Sequence, residues 1–150
     1  MKKMFSNKKG FTLVEVLLVI VIIAILAAIV IIAINPSRQI AQANNTQRSS
    51  DVQAVLNAVH QEAIDNRGTL PAAITTTATV IGSANGQINI CSALVPTYMA
   101  AMPFDPTATG AGYTDCTNYN TGYTVMKTAE GRVTVNAPSA ELSKVISITR

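Results

Sequence analysis

An uninterrupted apolar run near the N-terminus constrains this chain more than any other feature. The nineteen residues from Val16 to Ile34 carry no charged side chain. As a helix, at about 1.5 Å per residue, they would extend roughly 28 Å, close to the thickness of a bilayer core. The run predicts a membrane-spanning helix. The remaining residues are too few for two sizeable cores, so we expect one exported domain.

The charges around the run predict its orientation. Four lysines precede it, and no further positive charge occurs before Arg38. Because positive residues are retained on the cytoplasmic side, we expect the N-terminus in the cytoplasm and the remaining chain outside it. The four lysines are Lys2, Lys3, Lys8 and Lys9.

One carboxylate interrupts the apolar pattern. Glu15 lies at the head of the run, where an unpaired charge costs several kcal/mol unless it is neutralised or reaches the headgroups. Gly10 stands where the basic stretch meets the apolar one. Cleavage after Gly10 would give Phe11 a new α-amino group, which is the cation that Glu15 needs.

The segment from Lys8 to Ile34 resembles the type IV pilins and the related pseudopilins of type II secretion systems. The resemblance implies a basic leader removed after Gly10 by a prepilin peptidase, N-methylation of Phe11, and a subunit-docking role for Glu15. It also implies a homopolymer, and an assembly platform driven by a cytoplasmic ATPase. The protein would lie in the cytoplasmic membrane before assembly and in a cell-surface filament afterwards. A buried pair of the Phe11 amine and Glu15 from different subunits would enforce their register.

Three alternatives remain open. A secretory signal could end at the A-x-A site Ala41-Gln42-Ala43 and release a soluble binding domain that begins at Asn44, although the apolar run exceeds the usual length of such a signal. A plain membrane anchor would leave Glu15 unexplained. A pseudopilin would instead form a short periplasmic fibre for secretion.

The fold class predicted is α+β, with a long kinked helix packed by its second half on a small antiparallel sheet, as in pilins. We expect the leader at residues 1–10, the apolar polymerisation helix at 11–35, an amphipathic helix at 36–68 and a β domain at 69–150. Pro36 should bend the helix, and Gly68 should end it. The apolar positions of the second half recur at three- and four-residue spacing. They are Ala41, Ala43, Val52, Val55, Leu56, Val59, Ala63 and Ile64.

Three strand predictions follow from alternating polar and apolar residues and from turn signals. A hairpin is expected at 79–90 around Asn85-Gly86. A second is expected at 123–136 around Gly131, and a last strand at 145–148. Cys91 and Cys116 lie in the exported part, where an oxidising compartment favours a disulfide between them.

No set of residues predicts catalysis, so we expect a protein that is not an enzyme and needs no cofactor. His60, the single histidine, is expected on the helix surface, and Glu62 and Asp65 are interpreted as solvated helix charges. Removal of the leader lysines takes the net charge from +3 to −1, which gives no strong nucleic-acid signal. Four oxygen-bearing residues could surround Ca²⁺, but turn capping explains them equally and no metal is predicted. They are Asp105, Asp115, Asn118 and Asn120.

Overall fold

The computed structural model describes residues 10–150. The leader lysines therefore lie outside the described residues. The chain divides into two compact units, of which the first ends at Gln39 and the second is Ile40–Arg150.

The first helix, α1, is Leu13–Ile34. Its interior contains no glycine or proline, and its residues are almost all aliphatic. Thr12 is the N-cap, in an extended conformation, and its side chain accepts a hydrogen bond from the Glu15 amide. This satisfies one of the amides that a helix start leaves without an intrahelical partner.

A single residue separates α1 from the second helix, α2, which is Pro36–Asp65. Asn35 ends α1 in the left-handed region with φ 49°. Its side-chain oxygen then accepts hydrogen bonds from the Ser37 hydroxyl at 2.8 Å and the Arg38 amide at 3.4 Å. Pro36 occupies the first helical position, where a missing amide hydrogen has little cost. The expected interruption at Pro36 is therefore confirmed, as a break between two helices.

The C-terminal end of α2 follows the expected glycine cap. Gly68 has φ 86° and its amide donates to the Ala63 carbonyl at 2.7 Å. Arg67 also adopts a positive φ, of 59°. The amides of this turn donate hydrogen bonds to carbonyl groups that the last helical residues would otherwise leave without partners.

After α2 the chain forms one antiparallel sheet of five strands and one short helix. The long strand β3 pairs with β1, β2 and β4, and β4 pairs with β5. The elements are β1 Thr79–Gly82, α3 Cys91–Leu94, β2 Gly112–Asp115, β3 Asn118–Lys127, β4 Val133–Asn136 and β5 Ser147–Thr149. This arrangement confirms the α+β class.

The strand predictions had mixed outcomes. The hairpin around Gly131 is confirmed, with Val125 opposite Val135. The hairpin around Asn85-Gly86 is wrong, because β1 pairs with β3 and only an isolated parallel bridge joins Ile81 to Ile88. The final strand is present but begins two residues later than expected.

The core lies between α2 and one face of the sheet. Val52, Val55 and Leu56 from α2 are fully buried. They belong to the same core cluster as Tyr123 and Val125 of β3. Alternating positions of β3 are buried, as a strand with one covered face requires. Of the apolar positions predicted to face inward, Ala43 and Ile64 are exposed instead.

Candidate functional site

The residues singled out at the N-terminus form one local structure. The Glu15 amide donates to the Thr12 hydroxyl oxygen at 3.2 Å, and the Thr12 amide donates to Glu15 Oε2 at 3.4 Å. This reciprocal pair is a capping box. Within residues 10–150, the Thr12 amide provides the one hydrogen bond to this carboxylate. Thr12 was not predicted as part of the site, although the Thr-x-x-Glu spacing is a sequence signal for this cap.

Glu15 therefore stands on the exposed first turn of α1, three residues before Leu18 in an otherwise uncharged helix. An apolar recess of about 290 Å³ lies beside it. Phe11, Glu15, Val16, Val19 and Ile20 line this recess. The carboxylate is thus one polar group in an apolar surface that extends along the helix.

None of the 22 residues of α1 is buried within the chain. The helix is long and apolar enough to cross a membrane. Exposed apolar surface of this extent is abnormal for a soluble monomer and marks contact with lipid or protein. The described residues also leave Phe11, just before α1, 82% exposed.

Gly10 lies before the cap, outside any helix or strand, and is exposed. A Cβ atom added there would meet no atom within 4 Å. Steric contacts within the described residues therefore do not require a glycine at this position. A requirement for Gly10 would have to come from another molecule that binds this segment.

In the second unit, the most extensive polar cluster surrounds Arg48 of α2. This side chain is fully buried. Its Nε donates to Asp105 Oδ2 at 2.7 Å and its Nη2 to Asp105 Oδ1 at 3.1 Å. Nη1 donates to Glu141 Oε2 at 2.8 Å and to Asn45 Oδ1 at 3.0 Å, and Nη2 also donates to the Thr107 hydroxyl. One guanidinium thereby joins α2 to two separate loops.

Arg48 was not predicted as a structural residue, although its position in α2 indicates burial. Arg48 lies four residues before Val52 and seven before Val55, on the same helix face. An arginine at core spacing signals a buried ion pair, because a buried charge needs a partner.

Asp105 is held ionised by its surroundings. Burial favours its neutral form, but hydrogen bonds from Arg48 and from the amides of Thr107 and Ala108 outweigh burial and lower the pKa of Asp105. The Thr107 and Ala108 amides donate at 2.9 Å each. Hydrogen bonds from Arg48 and then Asn44 likewise lower the pKa of Glu141.

A second buried polar contact joins α2 to β3. The Tyr123 hydroxyl donates to Asp51 Oδ2 at 2.8 Å. Burial, and then this hydrogen bond, raise the pKa of Tyr123. Burial also raises the pKa of Asp51, against the opposing effect of the tyrosine hydroxyl. The contact fixes the helix against the long central strand.

The two cysteines are joined in the structure. Cys91, at the start of α3, and Cys116, in the turn between β2 and β3, form a disulfide with their Cα atoms 5.2 Å apart. Cys91 is fully buried in the core cluster. The bridge fastens the segment before the last strands to the sheet.

The oxygen-bearing residues considered for calcium have other roles. Asp105 pairs with Arg48, and Asp115 Oδ1 accepts the Thr117 and Asn118 amides of a turn. Asn120 accepts the Gly122 amide. The residues that the structure describes contain no cluster of three or more acidic, histidine or cysteine side chains suited to a metal.

Two expectations for α2 need correction. Glu62 is only 9% exposed, and its Oε1 accepts a hydrogen bond from Asn66 Nδ2 at 2.6 Å, while Oε2 is buried without a partner among the described residues. His60 is half-buried, and its Nε2 likewise has no hydrogen-bond partner within residues 10–150. Neither is a solvated surface group. Asp65 is exposed, as expected, and accepts the Tyr98 hydroxyl at 2.7 Å.

A comparison with known protein families recognises the N-terminal segment of the chain. The model of the prokaryotic N-terminal methylation motif matches residues 5–34. No curated protein and no solved structure matches the chain. The chain carries the N-terminal signature of type IV pilins and pseudopilins, which are structural proteins rather than enzymes. The match ends at Ile34, so it describes α1 and the segment before it.

Proposed function

We propose that this protein is the structural subunit of a type IV pilus-like filament. It is made as a membrane-inserted precursor with its N-terminus in the cytoplasm. A prepilin peptidase cleaves it after Gly10, Phe11 is N-methylated, and the mature chain polymerises through its N-terminal helix. A membrane assembly platform and its ATPase extract the subunit from the membrane. The resulting filament stands on the cell surface.

The main support for this proposal is that the methylation motif occurs together with an apolar helix, α1, in which no residue is buried. The precursor buries α1 in lipid, and the filament buries it among copies of the same helix. The two environments are interchangeable because lipid tails and aliphatic side chains are similarly apolar. Ala24, Ala27 and Ala28 would allow close approach of neighbouring helices.

The contacts of the Glu15 carboxylate support the proposed docking of subunits. Among residues 10–150, this carboxylate receives one long hydrogen bond, from the Thr12 amide at 3.4 Å. The mature α-amine of Phe11 on a neighbouring subunit supplies the cation that a buried carboxylate requires. Only one stagger of the helices pairs both charges, so the pair specifies the subunit register.

Two features of the second unit stabilise its fold for the exterior of the cell. The Cys91–Cys116 bridge closes the segment before the last strands, and Arg48 ties both adjacent loops to α2. Both devices limit local opening of a small sheet domain. This fits a subunit that remains folded while it leaves the membrane and enters the filament.

The first experiment is intact-mass and N-terminal peptide analysis of protein sheared from the surface of its native host. A chain that begins at N-methylated Phe11 supports the proposal. A chain that begins at Asn44 indicates a soluble secreted domain and overturns it. An unprocessed chain that begins at Met1 indicates a plain membrane anchor and overturns it too.

A secretion pseudopilin is the second candidate, because the methylation motif is common to both classes. The two differ in where the polymer lies. Electron microscopy with antibody against the second unit separates them: labelled surface filaments support the pilus, and a polymer confined to the periplasm supports the pseudopilin.

A further inference from the structure

A short loop near the C-terminus displays apolar side chains on an unfavourable backbone. Leu142 and Ser143 have φ values of 57° and 55°. Such left-handed conformations are uncommon for residues other than glycine and asparagine. Leu142 is nevertheless 50% exposed, and Val145 is 86% exposed. We call the segment 142–145 the knob.

The rest of the second unit holds the knob in place. Just before it, the Asn45 side chain donates to the Glu141 carbonyl at 2.8 Å and accepts from the Glu141 amide at 2.9 Å. Arg48 also binds the Glu141 carboxylate. Just after it, Ile146 is buried, and its carbonyl accepts the Ala137 amide at 2.9 Å. Backbone strain that the surroundings enforce points to a functional role for what it displays.

A groove of about 620 Å³ lies near the other end of α2. The last turns of the helix, the segment after them and the β3–β4 connection border it. Ile64 on its rim is 67% exposed, so the chain itself leaves this side chain uncovered. The lining includes His60, Ala63, Ile64, Leu70, Ala129 and Glu130. Glu141, just before the knob, binds α2 at Asn45, and the groove begins near His60, about 23 Å farther along the helix.

We propose that the knob of one subunit seats in the groove of the next copy of this chain. This inference rests on the proposed function. An open polymer needs two different, complementary surfaces on each subunit, whereas a closed dimer uses one surface twice. The knob and the groove are two such surfaces, placed apart on one rigid helix. Both present uncovered aliphatic side chains.

The charges at the two surfaces fit this pairing. Among the residues that the structure describes, both ion pairs involve Arg48. Within that part of the chain, Lys144 in the knob and Glu130 at the groove therefore have no ion-pair partner. Lys127, which has the same charge as Lys144, also lines the groove. Charge alone therefore does not determine where the knob binds. The apolar contact of Leu142 and Val145 with Ile64 supplies the selectivity.

The test is disulfide trapping in the full chain, expressed in its native host. Val145→Cys and Ala129→Cys are introduced together and separately; both sites are exposed. The native cysteines are already bonded to each other, so they give no background. The double variant should give a ladder of multimers on a non-reducing gel, and each single variant should give monomer.

Each outcome decides the inference. A ladder from the double variant alone supports the head-to-tail contact. Dimers at equal yield from Val145→Cys alone indicate a symmetric contact and overturn it. Monomer from the double variant in cells that bear normal filaments overturns it while leaving the proposed function intact. If wild-type cells contained no polymer of this protein, both the knob–groove contact and the proposed function would be overturned.

A matched pair of substitutions separates docking from folding. Leu142→Asn removes the apolar side chain but suits the left-handed backbone, so the thermal midpoint should not fall. Filament yield should fall at least tenfold. Ser143→Asn also suits the backbone and leaves the apolar side chains, so its filaments should be normal. Normal filaments from Leu142→Asn would overturn the inference, while processing at Phe11 would still report on the proposed function.

Discussion

Arg48 and Asp105 form a bidentate ion pair, 57 residues apart in the chain, with both side chains fully buried. The two parallel hydrogen bonds fix the orientation of both planar groups. The pair fastens the loop before β2 to the middle of α2. Through its other hydrogen bonds, the same guanidinium fastens the loop that carries the knob.

Breaking this pair on one side should be severely destabilising. Arg48→Ala leaves the Asp105 carboxylate buried without its cation, which costs about 3–5 kcal/mol of unfolding free energy. Chemical unfolding of the full chain in detergent measures the change. Arg132→Ala is the control, since Arg132 is exposed and should change stability by at most about 0.5 kcal/mol. Equal effects of the two substitutions would contradict the role of the buried pair.

Acid should weaken the second unit for the same reason. The pKa of Asp105 is lower in the folded state, so its contribution to stability is complete above the unfolded pKa and is lost as the pH falls through the folded value. Asp51 acts in the opposite sense, because burial raises its pKa. Thermal midpoints between about pH 5 and about pH 2 should fall less steeply in Asp105→Asn than in the wild type. Parallel slopes would exclude Asp105 as a source of the acid sensitivity.

The disulfide should stabilise through the unfolded chain. It joins residues 25 positions apart, which corresponds to about 3.5 kcal/mol in the chain-entropy model. Reduction with a strong thiol reductant should therefore lower the midpoint of chemical unfolding in the wild type. The variant with both Cys91 and Cys116 changed to serine should start from the lower value and not respond to the reductant. A response in that variant would show that the reductant acts elsewhere.

The residues that the sequence predicted best are those with local signals. The length of α1 follows from its uninterrupted apolar run, and the end of α2 from Gly68. The β3–β4 hairpin follows from the alternation of apolar and polar residues on both sides of the turn at Gly131. In each case the deciding interactions lie within a few residues, so a local pattern contains them.

The features that were missed depend on distant partners. The Arg48 cluster joins residues 57 and 93 positions away, and no local pattern identifies them. The failed hairpin has a similar cause. The Gln87 side chain folds back to the Ala84 amide at 3.1 Å within the turn. The edge of β1 then pairs with β3, some forty residues later. On its other side β1 meets the segment after the turn through the parallel bridge of Ile81 and Ile88, so the turn signal did not produce an antiparallel hairpin.

Processing should depend on Gly10 without affecting the fold. A Cβ atom at this position meets no atom within 4 Å, so neither Gly10→Ala nor Gly10→Val should change thermal stability. Gly10→Val should block cleavage, because a β-branched residue is bulky and stiff where the peptidase must approach the backbone closely. Mass analysis of membrane fractions should show only the uncleaved precursor. Gly10→Ala adds one methyl group and is the graded control, and it should be cleaved faster than Gly10→Val. Normal cleavage of Gly10→Val would place the processing site elsewhere.

Glu15 has two separable roles, a local cap and a charge for docking. Glu15→Gln retains an oxygen acceptor for the Thr12 amide, because a capping box accepts either residue. It removes the negative charge that would pair with the Phe11 amine. We therefore expect Glu15→Gln to be cleaved normally yet to assemble as poorly as Glu15→Ala, with the filament yield of sheared fractions as the measurement.

Thr12→Ala is the complementary control. It removes the hydroxyl that accepts the Glu15 amide at 3.2 Å, while the carboxylate stays on α1. The loss weakens the start of the helix by about 1 kcal/mol, a small cost where lipid or neighbouring helices already enforce helical structure. Thr12→Ala should therefore assemble far better than Glu15→Gln. The reverse order would mean that the cap, and not the charge, is what assembly requires of Glu15.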